Sequence, residues 1–287
     1  MSKSPRIWLL SRNTLGEERK ELERRGIDIE YREWNDISVP VGDIPDVLRW
    51  MMIPDDMVFQ LSFIEELERA GTRVINYSKA VQTCDKASIY FLWQRFLREK
   101  IAMPATIMTS NIDKALQFLA DRGQAISKPI AGQSGKGIVK LEITSEESRS
   151  VLENLLAINH VLFLQEFIES THEIRTIIAG SDVIAQYGRY NENSLHGVTS
   201  GGIILPLDDE RVNLDQDEAS ALQEIALTVG NITELDLLAV DVIIVNHQPY
   251  LLEWNPFFAY GKTRKTREIG IDIASRIAEF IIAISRK

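Results

Sequence analysis

Residues 238–258 read LAVDVIIVNHQPYLLEWNPFF. Two apolar runs flank a polar turn, Asn246-His247-Gln248, which predicts a β-hairpin. Centring the hairpin on His247 sets Asp241 directly opposite Glu253, on one face of the sheet. Asn255 lies two residues beyond Glu253 and shares that face. Two carboxylates and an amide converging on one spot suit a hard cation, with Mg²⁺ foremost. Mg²⁺ usually keeps waters and shares substrate phosphates, so a donor set this sparse implies a nucleotide. The competing reading is a hairpin with one wet face, because strand alternation places polar pairs cheaply. Against it, directly opposed like charges destabilise a sheet unless something positive lies between them. The neighbours Val242, Leu251, Leu252 and Trp254 read as core.

The 287 residues, 45% of them hydrophobic, can build one large or two to three small compact units. No run of about 18 uncharged apolar residues occurs, so no membrane span is expected. The N-terminal stretch MSKSPRIWLL lacks a signal-peptide pattern. A single cysteine, Cys84, excludes a disulfide framework and a multi-cysteine metal site. A reducing cytoplasm is the expected setting. A net charge of -10 argues against nucleic acid as a partner held by bulk charge.

Working outward, residues 1–82 alternate strand and helix: strands over 6–10, 27–31, 47–53 and 73–76, helices over 16–25 and 57–70. That alternation predicts a parallel sheet. The turn after the first strand has one glycine, Gly16, and no dinucleotide fingerprint. Its Ser11, Arg12 and Asn13 read as ordinary turn chemistry, with a substrate contact as the minor alternative. A helix over 85–100 follows, with Ile89, Leu92, Trp93, Phe96 and Leu97 at core spacing. Lys86 in its first turn opposes the helix dipole. It either pairs with Asp85 or marks a functional site, where local rules are broken.

Residues 105–167 predict a small unit of strands over 106–108, 125–128, 138–143 and 161–167, with helices over 112–122 and 145–157. Thr144 and Glu147 read as a capping box. Within this unit lies AGQSGKG, residues 131–137. It is not a Walker A loop, because Gly137 rather than Ser or Thr follows Lys136. It reads as a hairpin loop whose backbone N–H groups, at Ser134, Gly135 and Gly137, can close over phosphates. Lys128, extended by the following Pro129, stands just before it.

Further on, Glu173 and Arg175 share a strand face and Arg189 ends the next strand. The loop 191–202, NENSLHGVTSGG, reads as a disordered tip or a substrate loop. A helix over 218–229 takes Gly230 as its cap, and an amphipathic helix over 271–284 closes the chain. The run GKTRKTR, 261–267, is a solvated face or a clasp for substrate carboxylates or phosphates. His160, His172, His196 and His247 have no ligand spacing, and no Ser/His/Asp or Cys/His arrangement is visible.

These features occur in one order: Asp85-Lys86, Lys128-Pro129, Gln165-Glu166-Phe167-Ile168, Glu173-Ile174-Arg175, Gly201-Gly202, Asp241, Glu253-Trp254-Asn255. In that order the chain resembles the ATP-grasp superfamily, specifically its RimK-like carboxylate–amine ligases, over essentially its whole length. The resemblance implies an α/β chain with an ATP-grasp fold. It would comprise an N-terminal doubly wound domain over 1–82, a lid subdomain over 83–168 and a C-terminal antiparallel-sheet domain over 169–287. It implies that Lys86 and Lys128 contact phosphates. It implies that Glu166, Phe167 and Ile168 hold adenine and that Glu173 binds ribose. Asp241, Glu253 and Asn255 would ligate Mg²⁺, with Mn²⁺ able to stand in. Arg175 and Arg189 would lie at the reacting phosphoryl and acyl groups.

The implied activity is ATP-dependent amide formation through an acyl phosphate, with ATP and Mg²⁺ as cofactors. The incoming amine would be glutamate. The acceptor would be a pterin-type cofactor, a carrier protein or a peptide C-terminus, and a homo-oligomer is an open expectation. A small-molecule kinase and a non-catalytic nucleotide-binding regulator are the alternatives. Two stretches depart from the family pattern. The loop before Gly201 reads Leu195 and Gly197 where the family carries Arg and Asn, and Pro256-Phe257-Phe258-Ala259-Tyr260 replaces a short Ser/Pro/Gly turn.

Overall fold

The computed structural model describes the chain except residues 1–3, 13, 40–41, 53–55, 132–136, 143–144, 171, 192–202, 259–262 and 287, and the side chains of 145–146 and 263–265. Three sheets organise it.

The N-terminal unit contains β1 (Ile7–Ser11), α1 (Gly16–Arg24), β2 (Ile29–Glu33), β3 (Val47–Trp50), α2 (Met57–Arg69) and β4 (Arg73–Ile75). Its strands are all parallel in the order β2-β1-β3-β4. Ile7, Trp8, Leu9 and Leu10 are all buried, as a parallel strand covered on both faces requires. The expected turn chemistry is present: Ser11 Oγ lies 2.8 Å from the Tyr31 hydroxyl and accepts from the Thr14 N–H. A short helix, α3 (Ser78–Val81), leads out of the unit.

The helix expected over 85–100 is broken. Asp85 caps α4 (Lys86–Leu92), accepting from the N–H groups of Ala87 and Ser88. The chain then widens into a π-helical turn, Trp93–Leu97. Such a turn carries extra residues and rotates the apolar stripe. Phe96 is therefore 44% exposed, although Ile89 and Leu97 are buried as expected.

The second unit holds β5 (Thr106–Thr109), α5 (Ile112–Arg122), β6 (Gln124–Lys128), β7 (Val139–Glu142), α6 (Ser145–Asn159) and β8 (Leu162–Glu166). Its antiparallel sheet runs β5-β8-β6-β7 around a small core of Ala115, Leu119, Ala125, Leu141, Leu152, Leu162 and Leu164. The expected capping residue Thr144 lies outside the described residues.

The third unit contains β9 (His172–Ala179), β10 (Asp182–Tyr190), β11 (Ile203–Leu205), α7 (Gln216–Thr233), β12 (Leu237–Val245), β13 (Gln248–Asn255), α8 (Thr263–Glu268) and α9 (Ile273–Ser285). Its antiparallel sheet runs β11-β10-β9-β12-β13. One face, with Ile174, Ile178, Leu238, Val240 and Val242, packs in one core with Leu222, Ile225 and Val229 of α7. The other face carries Ile177, Ala179, Ala185, Tyr187, Leu237 and Ala239, which share a second core with Ile273, Ile277 and Ile281 of α9. Gly230 does not cap α7. It lies inside the helix, where a Cβ would come 2.4 Å from Ile178 Cδ1, so its missing side chain lets α7 seat on β9. The helix ends instead at Glu234, in the left-handed region at φ 58°.

Asn76, fully buried, fastens the N-terminal unit to this sheet. Its amide donates to Leu237 O at 2.7 Å and to Pro256 O at 3.4 Å, and its carbonyl oxygen accepts from the Leu237 N–H at 2.8 Å. Arg73 pairs with Asp236 at 2.7 Å, and the Trp50 and Phe257 rings meet edge-on at 4.6 Å.

Candidate active site

The second face of the third sheet changes character along its length. Its lower rows are apolar. Its upper rows carry Glu173 and Arg175 on β9, Arg189 on β10, Asp241 on β12, and Glu253 and Asn255 on β13. Register aligns them: Arg189 pairs with Glu173, Asp241 with Arg175, and Asp241 with Glu253.

The hairpin reaches that alignment by a different route from the one expected. Its turn is two residues, Asn246 and His247, both with positive φ, and Gln248 belongs to β13. This is the primed turn that matches strand twist. From it the ladder runs Val245 to Gln248 through Val242 to Leu251. Continued regularly, it would set Asp241 against Leu252 and turn Glu253 toward Val240's face. A bulge at Leu252 inserts one residue and restores Asp241 opposite Glu253. Leu251 and Trp254, three apart, therefore both lie in the α7-side core.

The three oxygen donors converge. Asn255 Nδ2 lies 3.1 Å from Glu253 Oε1 and 3.4 Å from Asp241 Oδ2, spanning the gap between the two carboxylates. Arginines approach Asp241 from the β9 and β10 side. Arg175 Nε and Nη2 donate to its two oxygens at 2.7 and 2.6 Å, and Arg189 Nη2 lies 3.2 Å from Oδ2. Arg189 also pairs with Glu173. Burial opposes the Arg175 charge, but the Asp241 charge and hydrogen bonds outweigh it, with Tyr187 and Glu253 adding, and its pKa rises. Burial likewise pushes the Tyr187 phenol up, against the pull of Arg175. Arg189 Nε is buried without a hydrogen-bond partner among the described residues.

A small cleft lies between Lys86 and Ile89 of α4, Met103, Lys128 and Phe163 and Gln165 of the second sheet, and Leu252 at the bulge. It thus brings together the two lysines that the sequence names. Lys128 Nζ donates to Gln165 Oε1 at 2.8 Å. Desolvation pushes the Lys128 ammonium down to about 8; Glu253 raises it and Lys86 lowers it.

At the end of β8, the Glu166 N–H donates to Ala105 O, and the Glu166 carboxylate accepts from the Ala105 N–H at 3.4 Å and lies 3.9 Å from Arg122 Nη1. The Phe167 N–H donates to Gln124 O, and Lys140 Nζ stands 4.1 Å from the Phe167 ring centroid. Ile168 follows directly, partly buried. Glu173 is only 2% exposed and its carboxylate is committed to Arg189. Ser134 and Gly135 lie outside the described residues; Gly137, at φ 75°, sits against Pro129, whose Cγ would be 2.8 Å from a Cβ there. Of the 261–267 run, Thr266 is buried and Arg267 is turned to Asp272 and Glu17. Sequence alone assigned Gln165 no task; a glutamine directly after the apolar residues Leu162, Phe163 and Leu164 was its signal.

The donor set fits a hard divalent cation. Among the described residues no three His, Cys, Asp or Glu side chains are grouped to hold a metal by themselves, and here the third donor is an amide. Asp241 and Glu253 are like charges at one register pair, which a cation between them would relieve. The Asn255 amide would present its oxygen rather than its nitrogen to such an ion.

A model of the RimK-like ATP-grasp domain matches residues 84–281. The chain belongs to the RimK-like ATP-grasp family. It is 28% identical over 185 residues to the tetrahydromethanopterin:alpha-L-glutamate ligase of Methanosarcina acetivorans, covering 60% of this chain and 55% of that protein. It is 24% identical to the coenzyme gamma-F420-2:alpha-L-glutamate ligase of Methanocaldococcus jannaschii, over 80% of this chain and 76% of that one. The match thus spans little more than half the length of the first relative. In fold it is similar to the ATP-grasp ligase PsnB solved with a minimal precursor, Mg and ADP. That likeness has TM-score 0.72 and 14% identity, over 99% of this chain and 98% of PsnB. ATP and Mg²⁺ binding belongs to the family. Among the described residues no helix is long and apolar enough to cross a membrane.

Proposed function

We propose that this RimK-like ligase joins glutamate to the carboxylate of a small cofactor-like acceptor, at the polar end of the third sheet. The observation that carries the reading is the convergence of Asp241, Glu253 and Asn255 on the face that Arg175 and Arg189 share. Glutamate ligases among the relatives support the amine, and the tetrahydromethanopterin and coenzyme F420 ligases among them support the acceptor class.

Asp241, Glu253 and Asn255 would hold Mg²⁺, which would supply positive charge to offset that of the phosphates. Lys86 and Lys128 hold the phosphates from the opposite wall. Glu166, Phe167 and Ile168 line the nucleobase end, where the committed N–H groups of Glu166 and Phe167 leave the polar contacts to Ile168 and to carbonyl oxygens. Glu173 serves first as the partner of Arg189; a ribose contact would come from the oxygen that arginine leaves open. Arg189 Nε, a buried donor, is suited to an oxygen of the acyl or phosphoryl group.

In the first step an acceptor carboxylate oxygen attacks the γ-phosphorus, forming the acyl phosphate and releasing ADP. In the second, the glutamate amine attacks the acyl carbon, an amide forms and phosphate leaves. The arginines and lysines stabilise charge as it develops, in a site that no protein nucleophile enters. Residues 105–166 act as the lid that excludes water, which would otherwise hydrolyse the acyl phosphate.

The test is phosphate release from ATP and Mg²⁺ with a panel of acids and amines, with hydroxylamine as a trap. A hydroxamate formed with the acceptor acid supports the ligase. Phosphoryl transfer to a hydroxyl, or nucleotide binding with no release for any pair, overturns it.

A further inference from the structure

We propose that Gln165 and Thr106 are positioning residues for Lys128, forming a hydrogen-bond relay across three strands that aims its ammonium into the phosphate cleft. This rests on the reading of Lys128 as a phosphate contact.

The relay is fixed by register. Gln165 on β8 stands opposite both Thr106 on β5 and Ile126 on β6. Lys128 lies two residues past Ile126, so it is a diagonal neighbour of Gln165 on the same sheet face. The bonds then run in one direction. Lys128 Nζ donates to Gln165 Oε1 at 2.8 Å, Gln165 Nε2 donates to Thr106 Oγ1 at 3.1 Å, and Thr106 Oγ1 donates to Pro104 O at 2.8 Å.

Pro104 O can only accept, so it takes the single hydroxyl proton of Thr106. Thr106 Oγ1 can then only accept from Gln165, and the amide must present its nitrogen there. Its oxygen is left facing Lys128. A glutamine amide, whose two ends are nearly the same shape, is thereby held in one orientation. Gln165 is 2% exposed, so water does not substitute for the relay. A reversed amide would set N–H groups against an ammonium in a desolvated cleft and drive Lys128 away from it.

The anchor of the relay is itself tied to the metal strand. The Leu251 N–H donates to Ala102 O at 2.8 Å, and Ala102 forms a bridge with Tyr250. Pro104, two residues on, is thus held close to the segment carrying Glu253. The relay sets the lysine wall of the cleft relative to the carboxylate wall. That is a task distinct from stabilising the second sheet, whose core is separate.

The experiment titrates the intact protein with AMPPNP and Mg²⁺. Lys128→Met sets the scale. Gln165→Leu removes the acceptor and weakens binding about tenfold, as expected for a lost bond to a charged donor. Thr106→Val keeps the shape but frees the amide to turn, and weakens binding roughly threefold. Gln165→Glu keeps one oxygen toward Lys128 but sets the other against Thr106, which has no proton to give it, and weakens binding at least as much as Thr106→Val. Gln165→Leu adds nothing further in the Lys128→Met background, because the relay acts through that lysine.

If Lys128→Met weakens binding while both Gln165→Leu and Thr106→Val bind like the parent, the relay is overturned and the lysine reading stands. If the losses from Lys128→Met and Gln165→Leu simply add, the relay is also overturned. If Lys128→Met binds like the parent, the lysine reading itself fails. Should Gln165→Leu not fold, Thr106→Val and Gln165→Glu decide between these outcomes.

Discussion

Arg175 grips both carboxylate oxygens of Asp241, at 2.7 and 2.6 Å, across a register pair between adjacent strands. Asp241 is 1% exposed and Arg175 7%. A buried pair held this way is costly to break on one side, since the remaining charge has no water. Arg175→Ala is expected to lower stability by roughly 3–5 kcal/mol, read by urea unfolding. Arg175→Lys keeps a charge but loses the fork. It should fold, with the Mg²⁺ requirement for phosphate release shifted to higher concentration. An unchanged Mg²⁺ curve in that variant would separate Arg175 from the ion site.

Glu253 is partly exposed and lies 3.1 Å from the Asn255 amide, so its loss leaves little buried charge behind. Glu253→Gln removes one anionic oxygen donor while preserving shape. The expectation is a melting temperature within a few degrees of the parent and phosphate release lowered about a hundredfold or more, consistent with removal of a charge that balances the transition state. A variant that turns over normally would remove the metal assignment.

Lys128 titrates near 8 rather than at its ordinary 10.5, chiefly because it is desolvated. The sign follows from which state holds the proton. Between 8 and 10.5 the unfolded chain keeps a proton that the folded lysine has lost, so stability of the ligand-free protein rises with pH in that window. Nucleotide affinity is expected to move the other way, because the proposed phosphate contact requires the charged lysine. At a pH about one unit above 8, nucleotide binding should take up protons, measured as a buffer-dependent heat in calorimetry. Lys128→Arg, which stays charged, should abolish that uptake.

Asn76 bonds Leu237 through both its amide groups and reaches Pro256 as well. Asn76→Ala strands those backbone groups in a buried setting, at a cost on the order of 3 kcal/mol. Because Leu237 begins β12 and Pro256 follows Asn255, limited proteolysis should release the N-terminal unit more readily in the variant. Equal resistance to cleavage would show that Trp50, Phe257 and Arg73 hold the units together without it.

Much of this site was legible because β-structure has a period of two. Glu173 with Arg175, and Glu253 with Asn255, share a face whatever the neighbouring strands do. Asp241 opposite Glu253 was also readable, but through two compensating departures. A three-residue turn without a bulge and a two-residue turn with one both centre on His247, so the pair survives while the intermediate ladder does not. The bulge itself was written in Leu251 and Trp254, apolar residues three apart in a strand. Pairings that depend on which strands meet were not legible. Nothing local announces that Arg189 reaches Glu173 and Asp241, or that Gln165 reaches Lys128, since each is set by sheet order. The π-helical turn at Trp93–Leu97 was likewise hidden, because its sequence carries an ordinary helical stripe. Gly230 misled because a glycine that permits close packing and one that ends a helix look the same in the chain.

The supernumerary Leu252 has a consequence for how this strand tolerates change. Deleting that one leucine would let the ladder run on unbroken, with Glu253 still facing Asp241. Taking it into the ladder as an ordinary rung would instead swing Glu253 and Asn255 through the sheet into the greasy layer under α7 and thrust Trp254 among the arginines. The strand end is therefore forgiving of a shorter chain here and intolerant of a straighter one, so the kink at Leu252 is as much a part of the candidate site as its oxygen donors.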